Sequence, residues 1–73
     1  MKYIITFASV HFVMKAEKML KEKAIKVRLV PTPRKISSDC GMAIEVNSKD
    51  INIIKELLKD GENRVESIHE LTP

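Results

Sequence analysis

The hydrophobic period switches repeatedly within 73 residues, and that succession of short segments constrains the fold more tightly than any other feature of the chain. Lys2 to Phe7 is rich in Tyr, Ile, Thr and Phe, which suit a pleated buried surface, and predicts a first strand. Ser9 then offers a hydroxyl to cap a helix running to about Lys23 or Ala24. Along it Phe12, Val13, Ala16, Met19 and Leu20 form an apolar stripe, opposite His11, Lys15, Lys18 and Glu22. Ile25 to Val30 alternates apolar with basic residues, the pattern of a half-buried second strand.

Pro31 and Pro33 lack amide donors, and Ser37-Ser38-Asp39 favours local turns, so a loop is expected from Pro31 to Gly41. Met42 to Val46 resumes as a third strand. Asn47 or Ser48 can cap a second helix whose stripe is Ile51, Ile54, Leu57 and Leu58, ending near Asp60 with Gly61 as a left-handed terminator. Arg64 to His69 is expected to form a fourth strand, although its alternation is poor. The order strand-helix-strand-strand-helix-strand points to one α+β domain over residues 1–73, a ferredoxin-like βαββαβ sandwich with two helices on one face of an antiparallel sheet. In that arrangement the start of the third strand lies beside the end of the first, which would bring Cys40 close to Ser9, Val10 and His11.

A chain this short has room for one core and little stability to spare, which disfavours a deep, water-excluding pocket and favours a carrier, adaptor or accessory subunit over a turnover enzyme. Net charge is +3, with one Tyr, two Phe and no Trp, so the aromatic platforms of nucleic-acid binders are missing. One Cys and two distant His give no metal-ligand spacing, and no cofactor motif is present. Tyr3 to Met14 is too short and polar to span a bilayer, and no small-residue cleavage site follows it. A lone thiol suits the reducing cytoplasm. Edge strands would permit a homodimer.

Cys40 is the only cysteine. A core cysteine belongs in an apolar periodic segment, whereas this one stands between Asp39 and Gly41 in a long loop, and long loops in compact domains are commonly functional. An unperturbed thiol has a pKa of about 8.5, and helix amides or cations lower it. The expected neighbourhood supplies the first helical turn with Ser9 and His11, and Arg34 and Lys35 in the loop itself, with Asp39 acting in the opposite direction. Gly41 would allow a positive φ and a close approach to the sulfur. Without a second cysteine, an intramolecular dithiol oxidoreductase is disfavoured. His69 has no comparable context.

The run from Val30 to Ile44, VPTPRKISSDCGMAI, resembles the signature of the selenium/sulfur carrier protein-like family. The resemblance extends over nearly the whole chain, through Thr6-Phe7, Ser9 to His11, Lys15 to Lys18 and Val27 to Pro31. Lys35 and Asp39 depart from the family pattern and alter the charge near the thiol. The resemblance implies that Cys40 holds sulfur or selenium as a persulfide or perselenide, that Arg34, Ser37, Ser38 and Gly41 shape the loop presenting it, and that the partners are a protein donor and a protein acceptor. The competing reading is a non-enzymatic module binding a protein or an anion through loop 31–41, with the thiol incidental. A cysteine hydrolase using His11 as base stands further off, because no orienting third group is evident.

Overall fold

The computed structural model describes residues 1–36, 41–59 and 61–71. Strand β1 (Lys2–Phe7) leads into helix α1 (Val10–Glu22), strands β2 (Val27–Pro31) and β3 (Met42–Asn47), helix α2 (Ile51–Leu57) and strand β4 (Val65–Leu71). Single 3-10 turns at Ser48–Asp50 and Gly61–Asn63 precede α2 and β4. The strands lie in the order β2-β3-β1-β4 with every neighbouring pair antiparallel. The fold is α+β, as its sequence pattern predicts, and the strand order is compatible with a ferredoxin-like sandwich.

The two side-chain periods explain how the layers meet. Alternate β1 residues Ile5 and Phe7 join Ile44 and Val46 of β3 in one cluster with Val13, Ala16 and Leu20 of α1 and Ile51 and Ile54 of α2. Both helices therefore cover the same face. Each large aliphatic or aromatic side chain buried there contributes about 1.5–3 kcal/mol relative to its exposed state. Phe12 and Met19 pack only at the edge of this cluster.

Ile4, Thr6 and Ala43 are also buried but stand outside the helix-side cluster, on the other face of the sheet. The Thr6 hydroxyl, which would be costly to bury alone, lies 2.6 Å from Ser67 Oγ, and Ser67 Oγ lies 2.8 Å from His69 Nε2. His69 thus has a structural use that its sequence neighbourhood did not reveal. On the same face Glu45 Oε1 receives Lys2 Nζ at 3.2 Å, with Arg28 at 3.9 Å. Such exposed pairs stabilise little by themselves.

Several local expectations are corrected. Ser9 occupies the N-cap position of α1, but its hydroxyl makes no capping bond; its carbonyl accepts the Phe12 and Val13 amides at 3.1 and 3.2 Å instead. β2 begins at Val27 and runs through Pro31, which a strand tolerates at the end of a sheet edge where no ladder donor is needed. The cap of α2 is Asp50, again without a side-chain bond, because the 3-10 turn takes up Ser48 first. Gly61 opens a 3-10 turn and does not adopt positive φ. β4 starts one residue later and ends two residues later than expected, at Leu71, and its poor alternation reflects a register shift opposite Thr6 and Phe7 that leaves Glu66 unmatched.

Helix α1 ends in a Schellman arrangement, with Ile25 N–H donating to Leu20 C=O and Ala24 N–H to Lys21 C=O, both at 3.0 Å. The residue in the left-handed conformation is Ala24 at φ 61°, where glycine is the usual occupant. Ala24→Gly is therefore expected to raise unfolding stability by about 1 kcal/mol, read as a higher urea midpoint at unchanged slope. An unchanged or lower midpoint would show that Ala24 is not strained.

Tyr3 Oη donates to Glu70 Oε2 at 3.3 Å across the β1–β4 pair. The negative charge of Glu70, then burial and this hydrogen bond, hold the phenol above its ordinary value of 10.0. Because the folded state disfavours phenolate, this pairing adds stability below the unfolded pKa, and the contribution is lost as pH rises through the folded one. Tyr3 is the only tyrosine, so phenolate absorbance should titrate with a midpoint above that of unfolded chain, and Glu70→Gln should bring it back towards the ordinary value.

Candidate functional site: the β2–β3 connection and the start of helix α1

The β2–β3 ladder reaches Pro31 opposite Met42, and Thr32 N–H donates to Gly41 C=O at 3.0 Å beyond it. The two ends of the long connection are thus clamped together. A residue before proline is restricted to extended backbone, which suits Thr32 to prolong the ladder. Pro33 to Ile36 then form a tight turn closed by Ile36 N–H to Pro33 C=O at 3.0 Å. Arg34 and Lys35 occupy its two corners, both exposed, and neither forms an ion pair with another described residue.

The antiparallel β1–β3 register, with Ile5 opposite Ile44, sets the beginning of β3 beside the end of β1. Gly41 therefore lies at the end of the sheet where β1 hands over to α1. Ser9, in extended conformation at φ −156° and ψ 166°, makes that handover. Among the described residues no side chain caps α1 and no acidic residue stands in its first turn, where the helix amides favour negative charge. His11 is exposed, with its ring edge-on to Phe12 at a centroid distance of 5.3 Å and 78° between planes.

The structure thus brings Ser9, His11 and Gly41 to one end of the sheet and hangs Arg34 and Lys35 from the same clamped connection. Ser37, Ser38 and Cys40 lie outside the described residues. No positive φ is found at Gly41, which corrects the expected left-handed backbone, and among the described residues no atom lies within 4 Å of where a Cβ would stand. The sequence reading missed Arg64. Its carbonyl accepts the Ala8 amide at 3.0 Å and its φ is 50°, which fixes an exposed cation on the β4 side of the same junction. The turn-forming run Gly61 to Asn63 just before it was the available signal.

Among the described residues no group of three His, Cys, Asp or Glu could hold a metal ion, and no helix is long and apolar enough to cross a membrane. The family model described as "Putative Se/S carrier protein-like" matches residues 2–70. This chain belongs to that family. No curated protein and no solved structure matches it. Membership in the Se/S carrier-like family accords with the resemblance in the Val30 to Ile44 run, and a carrier family implies protein partners in general.

Because no described residue crowds Gly41 and no positive φ is found there, Gly41→Ala should fold normally and unfold at the same temperature or a slightly higher one. A clearly lower melting temperature would place a steric or backbone demand on this position.

Proposed function

We propose that this chain carries sulfur or selenium on Cys40, taking it from a donor protein and passing it to an acceptor. The observation that carries the reading is the family match over residues 2–70, which spans the thiol-bearing connection and every element that frames it. The chemistry needs a single thiolate. Cys40 attacks the outer sulfur of a donor persulfide, the donor S–S bond breaks with its electron pair leaving on the donor thiolate, and Cys40 retains the sulfane sulfur. Attack by an acceptor nucleophile on that sulfur reverses the process, so no external oxidant or reductant is consumed. Transfer of selenium follows the same steps.

The frame described above supports this role. Gly41, covalently next to Cys40, is clamped to Thr32 at the uncapped end of α1, and helix amides favour an anion such as a thiolate. Arg34, Lys35 and Arg64 would add positive charge for an incoming persulfide, and His11 would exchange protons with leaving or entering thiols. Ser37 and Ser38 would supply hydroxyl donors to the bound chalcogen. The exposed Arg34 and Lys35, which form no ion pair among the described residues, also favour a second reading, in which the loop binds an acidic partner or anion and the thiol is incidental.

Incubation with a cysteine desulfurase and L-cysteine should add one sulfur atom to the intact mass, and Cys40→Ala should abolish the addition while leaving the fold unchanged. Alkylation of Cys40 against pH should show a midpoint below that of denatured chain, whose thiol titrates at about 8.5. Equal loading of Cys40→Ala, or a normally titrating thiol in a protein that binds partners through Arg34 regardless of Cys40, would transfer the assignment to the binding-module reading.

A further inference from the structure

We infer that the groove at the other end of the sheet docks an extended, acidic segment of a partner protein. A cavity of about 490 Å³ opens where α1 ends and β2 begins, walled by Lys2, Lys21, Lys26 and Arg28. One carboxylate, Glu45, lies among these four cations, so the lining alone carries an excess of positive charge as large as the net +3 of the whole chain. Glu45 is shared between Lys2 and Arg28, Lys21 pairs with Glu17 at 3.3 Å, and Lys26 has no acidic partner among the described residues.

Exposed lysines alone would be a solvated surface, and charges on an edge strand commonly serve only to discourage pairing. Two features separate this groove from that case. Its lining alternates by face: half-buried Val27 stands on the helix side with Val46, while Arg28 stands on the other face with Lys2 and Glu45, so apolar and charged side chains alternate along the start of the edge strand. Ala24, exposed, lines the same groove while held in the left-handed conformation, at a backbone cost that glycine would avoid.

Geometry and charge together select the occupant. β2 is an edge strand, so its outer row of backbone groups has no partner strand, and Lys26 and Arg28 flank its beginning. A second copy pairing there would set like charges against each other, whereas an extended segment alternating acidic and apolar residues, added beside β2, sets its acidic side chains on the Arg28 face and its apolar ones on the Val27 face. The groove lies at the opposite end of the β2–β3 hairpin from Gly41: Val27 pairs with Val46 at this end, and Pro31 with Met42 at the other. At about 3.3 Å per residue, a partner held here leaves the far end of the strand free. The inference holds whether or not Cys40 carries sulfur.

The test is a titration of isotope-labelled protein, followed by amide NMR, with a capped peptide of alternating Glu and Val. Controls are the same peptide with Lys for Glu, and inorganic phosphate. Saturable shifts centred on Ile25, Lys26 and Arg28 are expected with the acidic peptide only. Lys26→Glu with Arg28→Glu should weaken binding by about tenfold or more, and well-dispersed resonances will show that this variant is folded. Ala24→Gly, which should be the more stable protein, should bind about threefold more weakly through loss of one methyl that the peptide would cover. Cys40→Ala should bind like the unmodified chain. Shifts spread evenly over the surface, equal binding of the Lys peptide, equal shifts with phosphate, or unweakened binding by the folded charge-reversed variant would each overturn the inference.

Discussion

Strand β1 is held from every direction, and the rest of the molecule is arranged around it. It pairs with β3 on one side and β4 on the other, and its residues from Ile4 to Phe7 are at most 1% exposed. Ile5 and Phe7 anchor both helices, while Ile4 and Thr6 fill the opposite face. A central strand buried on both sides cannot slip by one residue without exchanging its two faces, so its register fixes where β3 and β4 begin and end. The hydrogen bonds of Thr6 with Ser67 strengthen that constraint, because a slip would also strand a buried hydroxyl.

The carboxyl end of β1 consequently becomes the place where separate parts of the chain meet. Ala8 bonds to Arg64 from β4's side, the start of β3 arrives with Gly41, and Ser9 turns the backbone into α1. None of these residues is close to all the others in sequence. The Thr32 to Gly41 bond converts the intervening connection into a closed loop with a defined base, so the entropy of joining its ends is borne by the hairpin and not by a partner. A small chain can present chemistry in this way, at a loop on a rigid frame.

The other end of the sheet has a different character. There the cations of β1, β2 and the α1–β2 turn gather around the start of the edge strand, and Ala24 accepts a backbone conformation that its side chain disfavours. Segregation of the candidate thiol loop and the cationic groove to opposite ends allows contact with one partner surface at each.

Hydrophobic periodicity was sufficient to read the element order and the core stripes of both helices, because each depends on residues within one or two turns or a single strand. Family membership was legible too, because the resemblance runs over nearly the whole chain and the family model matches residues 2–70. Ends of elements were decided elsewhere. Ser9 lost its capping bond, Gly61 and Gly41 took ordinary φ, and Pro31 stayed in β2, because tertiary position set how each backbone group was paired and local propensity did not. Ala24 and Arg64 went left-handed without glycine because the packing on either side required the chain to turn there. The use of Ser67 and His69 to satisfy Thr6, and the meeting of Lys2 with Arg28 around Glu45, join strands far apart in the chain. Short-range patterning thus determined what the segments are, and the antiparallel register around β1 decided which side chains they bring together.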